Sequence, residues 1–152
     1  MKVCFDTNVL LDAIGNREGY QEAQSLITLA AARQIEGMIA GSSVTDVYYL
    51  ARKIIGDIPA RSVIGNLLTF FTVAEGNGDL CGAALRLPMK DFEDAVLAAC
   101  AVKAGADVIV SRDEEFLRSA SPIPVKRPKE LLKESCFDNA GIINSVLMEE
   151  TT

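Results

Sequence analysis

The stretch MKVCFDTNVL, residues 1–10, holds the reading on which the fold turns. Val3, Cys4 and Phe5 form a short apolar run that stops at Asp6, and after Thr7 and Asn8 a second apolar run, Val9–Leu11, begins at once. A buried strand that ends in a carboxylate and feeds a helix directly fits this order, with the helix running through Ile14 and closing at Gly15 and Asn16. The same grammar returns late in the chain. DVIVS, residues 107–111, is a short apolar run followed by Arg112 and Asp113 and then by the helical pattern SRDEEFL.

Between these two points strands and helices alternate. Residues Glu18–Ile35 predict a long helix, with Ala23, Leu26, Ile27, Ala30 and Ala31 spaced by three and four and Gly37 marking its end. Met38–Ala40 predicts a second strand, and Ser42 and Ser43 open a helix that continues to Ile55 and stops at Gly56. Pro59 starts another helix reaching Phe71, Thr72–Ala74 predicts a brief strand, and Leu80–Leu87 a helix ended by Pro88. KDFEDAVLAACAVKAGAD, residues 90–107, is the clearest helix, with Phe92, Ala95, Val96, Ala99 and Cys100 on one face and Gly105 at its end. PIPVKRP, residues 122–128, predicts a last edge strand, and Pro128 starts a helix through Leu132. Residues 137–152 predict a final helix or a loose tail. Such alternation specifies an α/β fold, a mainly parallel sheet covered by helices on both faces.

The chain has 152 residues, 49% of them hydrophobic, enough for one domain with a proper core. No apolar run approaches the roughly 18 residues of a membrane span, and Asp6 and Asn8 interrupt the one candidate for a secretory signal, so no membrane association and a cytoplasmic location are expected. Cys4, Cys81, Cys100 and Cys136 form no C-x-x-C pair and read as reduced, mostly buried thiols. Histidine is absent, which excludes Ser-His-Asp and Cys-His catalysis and every histidine-ligated metal site. Any enzyme built here works with carboxylates, lysines, hydroxyls or a metal held by oxygen. The net charge of −6 argues against bulk electrostatic capture of nucleic acid and leaves only local basic patches for it.

Four aspartates stand out by position: Asp6 after the first strand, Asp46 in the first turn after the second, Asp94 in the first turn of the clearest helix, and Asp113 after DVIVS. Singly, each has an ordinary explanation as a helix cap; Ser43 with Asp46, and Asp91 with Asp94, resemble capping boxes, and Asp113 suits the N-cap of EEFL. Together they converge on the carboxyl ends of the strands, where open parallel sheets bind ligands, provided that the first strand and DVIVS are neighbours. Like charges gathered there call for a cation. Oxygen-only clusters suit Mg²⁺ or Mn²⁺, which polarise phosphoryl oxygens and lower the pKa of water without histidine.

With these blocks in view, the chain resembles the PIN-domain family, nucleases found as the toxin halves of toxin–antitoxin pairs. The resemblance rests on FDTNVLLD, SSVTDVYYLARK, DFEDAVLAACAVKAGADVIVSRDEEF and PIPVKRPKELL, in the family's order. It implies a three-layer PIN-like nuclease domain over residues 1–132, with 133–152 as a C-terminal extension of it. It also implies metal-dependent hydrolysis of RNA, with Mg²⁺ or Mn²⁺ as cofactor, Asp6, Asp94 and Asp113 as metal-site aspartates, and Asp46 as the fourth acid where the family usually has glutamate. Asn8 would orient the first acid, Ser111 stands where the family usually has threonine, Glu115 is an alternative to Asp113, and Asp91 is either a helix cap or an outer contact. Arg112, Arg52 and Lys53, and the patch Lys126, Arg127 and Lys129, are the candidate RNA contacts. A homodimer and a cognate antitoxin follow from the same resemblance, with the helix Glu18–Ile35 as part of the partner surface.

Two other readings compete. An aspartyl-phosphate phosphatase needs a second aspartate two residues after the first, where this chain has Asn8. A PIN-like scaffold that has lost efficient catalysis and binds RNA or protein is the alternative kept open by Asp46 and by the net acidity.

Overall fold

The computed structural model describes residues 1–134. Its centre is strand β1 (Lys2–Phe5), which pairs in parallel with β2 (Glu36–Ala40) on one side and β4 (Val108–Val110) on the other. β3 (Thr72–Ala74) extends the sheet beyond β2, and β5 (Val125–Lys126) forms the opposite edge beyond β4, giving the all-parallel order β3-β2-β1-β4-β5. The chain therefore lays its first three strands in one direction and then returns to the far side of β1, so strand order reverses between β1 and β4. A crevice at the carboxyl ends follows from that reversal. The register pairs Phe5 with Val110, and the backbone N–H of Asp6 donates to the Val110 carbonyl at 3.0 Å. The acids after the two strands are thereby held at one rim.

Period-two alternation sends side chains to two cores. Val3 and Phe5, Ile39, and Val108 and Val110 face α1 (Thr7–Gly15), α2 (Tyr20–Ala31), α3 (Gly41–Ile55) and α4 (Asp57–Phe70). Cys4, Met38, Ala40 and Ile109 face α6 (Phe92–Lys103) and Phe116 of α7 (Glu114–Leu117). Helix α5 (Gly78–Leu85) packs on α6, and among the described residues a further helix, α8, covers residues 128–134 and puts Leu131 into the first core. Both faces are covered, as the alternation predicts.

Three local expectations need correction. The long helix predicted over Glu18–Ile35 is α2 alone: it ends at Ala31, and Arg33 turns the chain with φ 61° before β2 starts at Glu36. Gly37 is therefore a strand residue rather than a helix stop. A Cβ there would lie 2.9 Å from Phe71 Cε1 and 3.1 Å from Ala30 Cβ, so the absent side chain is what lets Phe71 pack edge-on to Phe5, ring centroids 4.9 Å apart. In α6 Ala95 and Cys100 are buried as expected, but Leu97, Ala98 and Ala101 are buried with them and Phe92 is half exposed; small residues at 98 and 101 bring the helix close to the sheet. The Ser43–Asp46 capping box does not form either, because α3 starts at Gly41 and Ser43 is buried in its first turn. Of the thiols, Cys4 and Cys100 are buried and Cys81 is exposed; Cys136 and the tail predicted over 137–152 lie outside the described residues.

Candidate active site

Asp6 is the N-cap of α1. Its extended backbone (φ −71°, ψ 150°) turns the carboxylate back over the helix start, where Oδ1 accepts from the Thr7 N–H at 2.8 Å. Oδ2 accepts from Ser111 Oγ at 2.8 Å and from Asn8 Nδ2 at 3.2 Å. Ser111, wholly buried at the end of β4, also accepts at Oγ from the Asp113 N–H at 3.1 Å. Asn8 closes the ring by accepting the Arg112 N–H at 3.1 Å. Residues expected from two distant blocks of sequence thus meet through neutral hydrogen bonds.

The other acids come from helix starts. Asp91 is the N-cap of α6 and accepts from the Asp94 N–H at 3.0 Å; Asp113 is the N-cap of α7 and accepts from the Glu115 N–H at 2.9 Å. Helix N-termini favour negative charge, which is part of how the fold tolerates so many carboxylates here. Asp6, Asp91, Glu93, Asp94 and Asp113 line one open cleft of about 800 Å³. Asp46 joins Asp6, Glu93 and Asp94 around an adjoining recess of about 340 Å³ at the start of α3. Glu115 instead lines a third hollow, of about 490 Å³, beyond Asp91 and Asp94, so Asp113 rather than Glu115 shares the cleft with Asp6. Glu93 was not anticipated. Its signal was present in the acid density of DFED, but it reads as solvated from sequence.

Electrostatics set this cleft apart. Burial, then Asp91, Asp6, Asp113 and Glu115, push the Asp94 carboxyl up to about 7 from an ordinary 3.8. Asp6 is also raised, chiefly by burial, with the Ser111 and Thr7 hydrogen bonds opposing and Asp113 and Glu93 adding to the rise. Among the described residues, no three acid or thiol side chains are drawn together tightly enough to grip one ion in the positions they take here. The donor set is nonetheless the one a hard cation takes, carboxylate oxygens with raised affinity for positive charge facing a shared space.

The cations fall elsewhere than expected. Arg112 is committed to Asp12, a carboxylate only 1% exposed, through Nε to Oδ2 at 2.5 Å and Nη2 to Oδ1 at 3.0 Å. Arg52 lies over the Tyr49 ring, 5.8 Å from its centroid. In the patch near β5, Lys126 pairs with Glu134, and Arg127 with Glu114 and Glu130; neither lines the cleft, nor does the exposed Lys129. Lys53 does line it, and so does Arg17, which sequence reading missed because its position depends on the turn after α1.

A model of a family described as the PIN domain matches residues 2–115. No curated protein matches the sequence. Among solved structures, DNA-bound VapBC from Salmonella typhimurium aligns with a TM-score of 0.64 at 18% identity, over 84% of this chain and 98% of that one. VapBC2 from Rickettsia felis, bound to a DNA fragment from its promoter, gives 0.63 at 16% identity over the same shares. Mycobacterium tuberculosis VapC20, described as a sarcin-ricin loop cleaving toxin, gives 0.59 at 19% identity over 75% of this chain and 92% of that one. At these identities the likeness is one of fold.

Proposed function

The chain belongs to the PIN-domain family, and from that premise we propose that it is a ribonuclease that hydrolyses RNA phosphodiester bonds with a divalent cation, as the toxin half of a toxin–antitoxin pair. The observation that carries this reading is the meeting of Asp6, Asp94 and Asp113 in one cleft at the reversal of strand order, with the Asp94 carboxyl raised to about 7 by burial and by the acids around it. The solved structure described as a sarcin-ricin loop cleaving toxin supports RNA as substrate, and the VapBC assemblies support an antitoxin partner.

Asp6, Asp94 and Asp113 would hold the cation, Mg²⁺ or Mn²⁺, which when bound supplies Lewis-acid polarisation of a phosphoryl oxygen and eases the deprotonation of water. Asn8 and Ser111 keep Asp6 turned into the cleft by their bonds to Oδ2. Asp46 lines the adjoining recess with Asp6 and Asp94, with one methylene less than the family's usual glutamate, a reach suited to contact through water. Lys53 and Arg17, at the cleft wall, suit the phosphates of the strand on either side of the scissile bond. For partners, the exposed side of α2 carries Gln21, Gln24, Ser25 and Thr28, whereas Tyr49, Leu50, Ile54 and Ile58 expose apolar surface on α3 and α4. We place the antitoxin or dimer contact there rather than on α2.

The test is cleavage of mixed RNA by the purified chain in Mg²⁺ or Mn²⁺ and in EDTA, for wild type and Asp94→Asn. Cleavage that needs the ion and is lost in the variant supports the reading. Cleavage that persists through both chelation and substitution overturns it, and RNA bound tightly but uncut in either ion favours the binding-module alternative.

A further inference from the structure

Helix α1 grips the turn between β4 and α7 at two points one helical turn apart. Asn8 Oδ1 accepts the backbone N–H of Arg112 at 3.1 Å, and Asp12, four residues along the same helix face, accepts that residue's guanidinium with both oxygens, at 2.5 and 3.0 Å. Arg17, just beyond the end of α1, stands near the same carboxylate, its Nε 3.8 Å from Asp12 Oδ1. Arg112 sits between Ser111, which donates to Asp6, and Asp113, which lines the cleft opposite.

A buried carboxylate is an inefficient source of stability. The cost of desolvating it offsets much of its attraction to Arg112, and apolar groups of the same volume are often as stable or more so. What the planar fork supplies, and an apolar pair does not, is a fixed angle and register between two backbone segments. Here the two segments are those that carry Asp6 and Asp113.

We propose that Asp12, acting through Arg112, is a positioning residue that sets the spacing of Asp6 and Asp113 and thereby the affinity of the cleft for its divalent cation. The inference rests on the nuclease reading above. Asp12 touches neither substrate nor ion; it holds the turn that presents Asp113 at the distance Asp6 requires. Loosening that turn lets the two like charges move apart, which weakens ion binding.

The experiment is Mn²⁺ titration of the full chain without RNA, followed by the electron paramagnetic resonance signal of free Mn²⁺, for wild type, Asp12→Asn, Arg112→Lys and the surface control Arg61→Ala. Kinetics on RNA are measured alongside. Asp12→Asn and Arg112→Lys should weaken Mn²⁺ binding by about 10- to 100-fold, the usual effect of disturbing a partner behind a ligand. In Arg112→Lys, which leaves the Asp12–Arg17 pair in place, kcat at saturating RNA and fixed, subsaturating Mn²⁺ should fall while KM for RNA holds. Arg112→Lys is the decisive variant, because it keeps a positive charge beside Asp12 and lacks only the fork. Mn²⁺ affinity within about twofold of wild type in folded Arg112→Lys and Asp12→Asn overturns the positioning role and leaves the nuclease reading standing. A wild-type protein that binds no Mn²⁺ overturns both.

Discussion

Asp6 and Asp12 belong to the start and the second turn of the same short helix, and the fold treats their charges in opposite ways. Asp12 is 1% exposed, yet each of its oxygens meets a guanidinium nitrogen of Arg112, and Arg17 stands nearby. Asp6 is held by a serine hydroxyl, an amide and a backbone N–H, all neutral, and faces Asp94 and Asp113 across the cleft. A charge neutralised internally serves the architecture. A rim that gathers Asp6, Asp94 and Asp113 where strand order reverses, with Lys53 and Arg17 on the cleft wall, has the donor set that would suit a cation from outside.

Substitutions separate the two cases. The largest effect should come from Asp94→Asn, which removes a charge from the cleft without changing its shape: RNA cleavage in Mg²⁺ should fall by roughly 1,000-fold, the upper range for losing an electrostatic stabiliser in an active site. RNA binding in EDTA should persist in filter-binding assays. Next in size is Arg112→Ala, which strands the buried Asp12 carboxylate with only Arg17 at 3.8 Å. Urea unfolding should report a loss of about 3 kcal/mol, near the lower end for breaking a buried pair. Asp12→Ala should lose less, because the Arg112 side chain is 42% exposed and its charge can be solvated.

A perturbation remote from both acids calibrates these numbers. Gly37→Ala places a methyl group 2.9 Å from Phe71 Cε1 and should cost about 1–3 kcal/mol by overpacking, with Mn²⁺ affinity unchanged in the same titration. The smallest effect is in pH dependence. Because the folded Asp94 pKa of about 7 lies above the ordinary 3.8, the folded protein binds a proton that the unfolded chain has released between those values. Its contribution to stability is therefore fully present below about pH 4 and is lost as pH rises through 7. In EDTA, wild type should melt at a lower temperature at pH 8 than at pH 5.5, and Asp94→Asn should narrow that difference, as read by circular dichroism.

The rim of the sheet was legible because its signal is local. An apolar run of three residues with an acid within the next three occurs at Val3–Phe5 before Asp6 and again at Val108–Val110 before Asp113, and parallel pairing of β1 with β4 brings the two together. What was not legible depended on partners distant in sequence. Asp12 lies within the apolar run VLLDAIG, and its partner Arg112 is a hundred positions on. Arg112 likewise gives no sign in sequence of the carboxylate it meets. The basic run Lys126, Arg127, Lys129 looks like a patch in sequence, yet Glu114, Glu130 and Glu134 answer two of its charges in space. The end of α2 was overrun because Ile35 continues the apolar spacing, and the positive φ of Arg33 that breaks it has no strong residue signature.

The most direct measurement is the titration of the Asp94 carboxyl carbon by NMR, first in EDTA and then with saturating Mg²⁺. An uncompensated cleft predicts a pKa near 7 without the ion, falling well below the ordinary aspartate range when Mg²⁺ is present. A value near 3.8 in EDTA that Mg²⁺ leaves unmoved would mean that Asp94 neither lacks a counter-charge nor meets the cation, and would contradict the account.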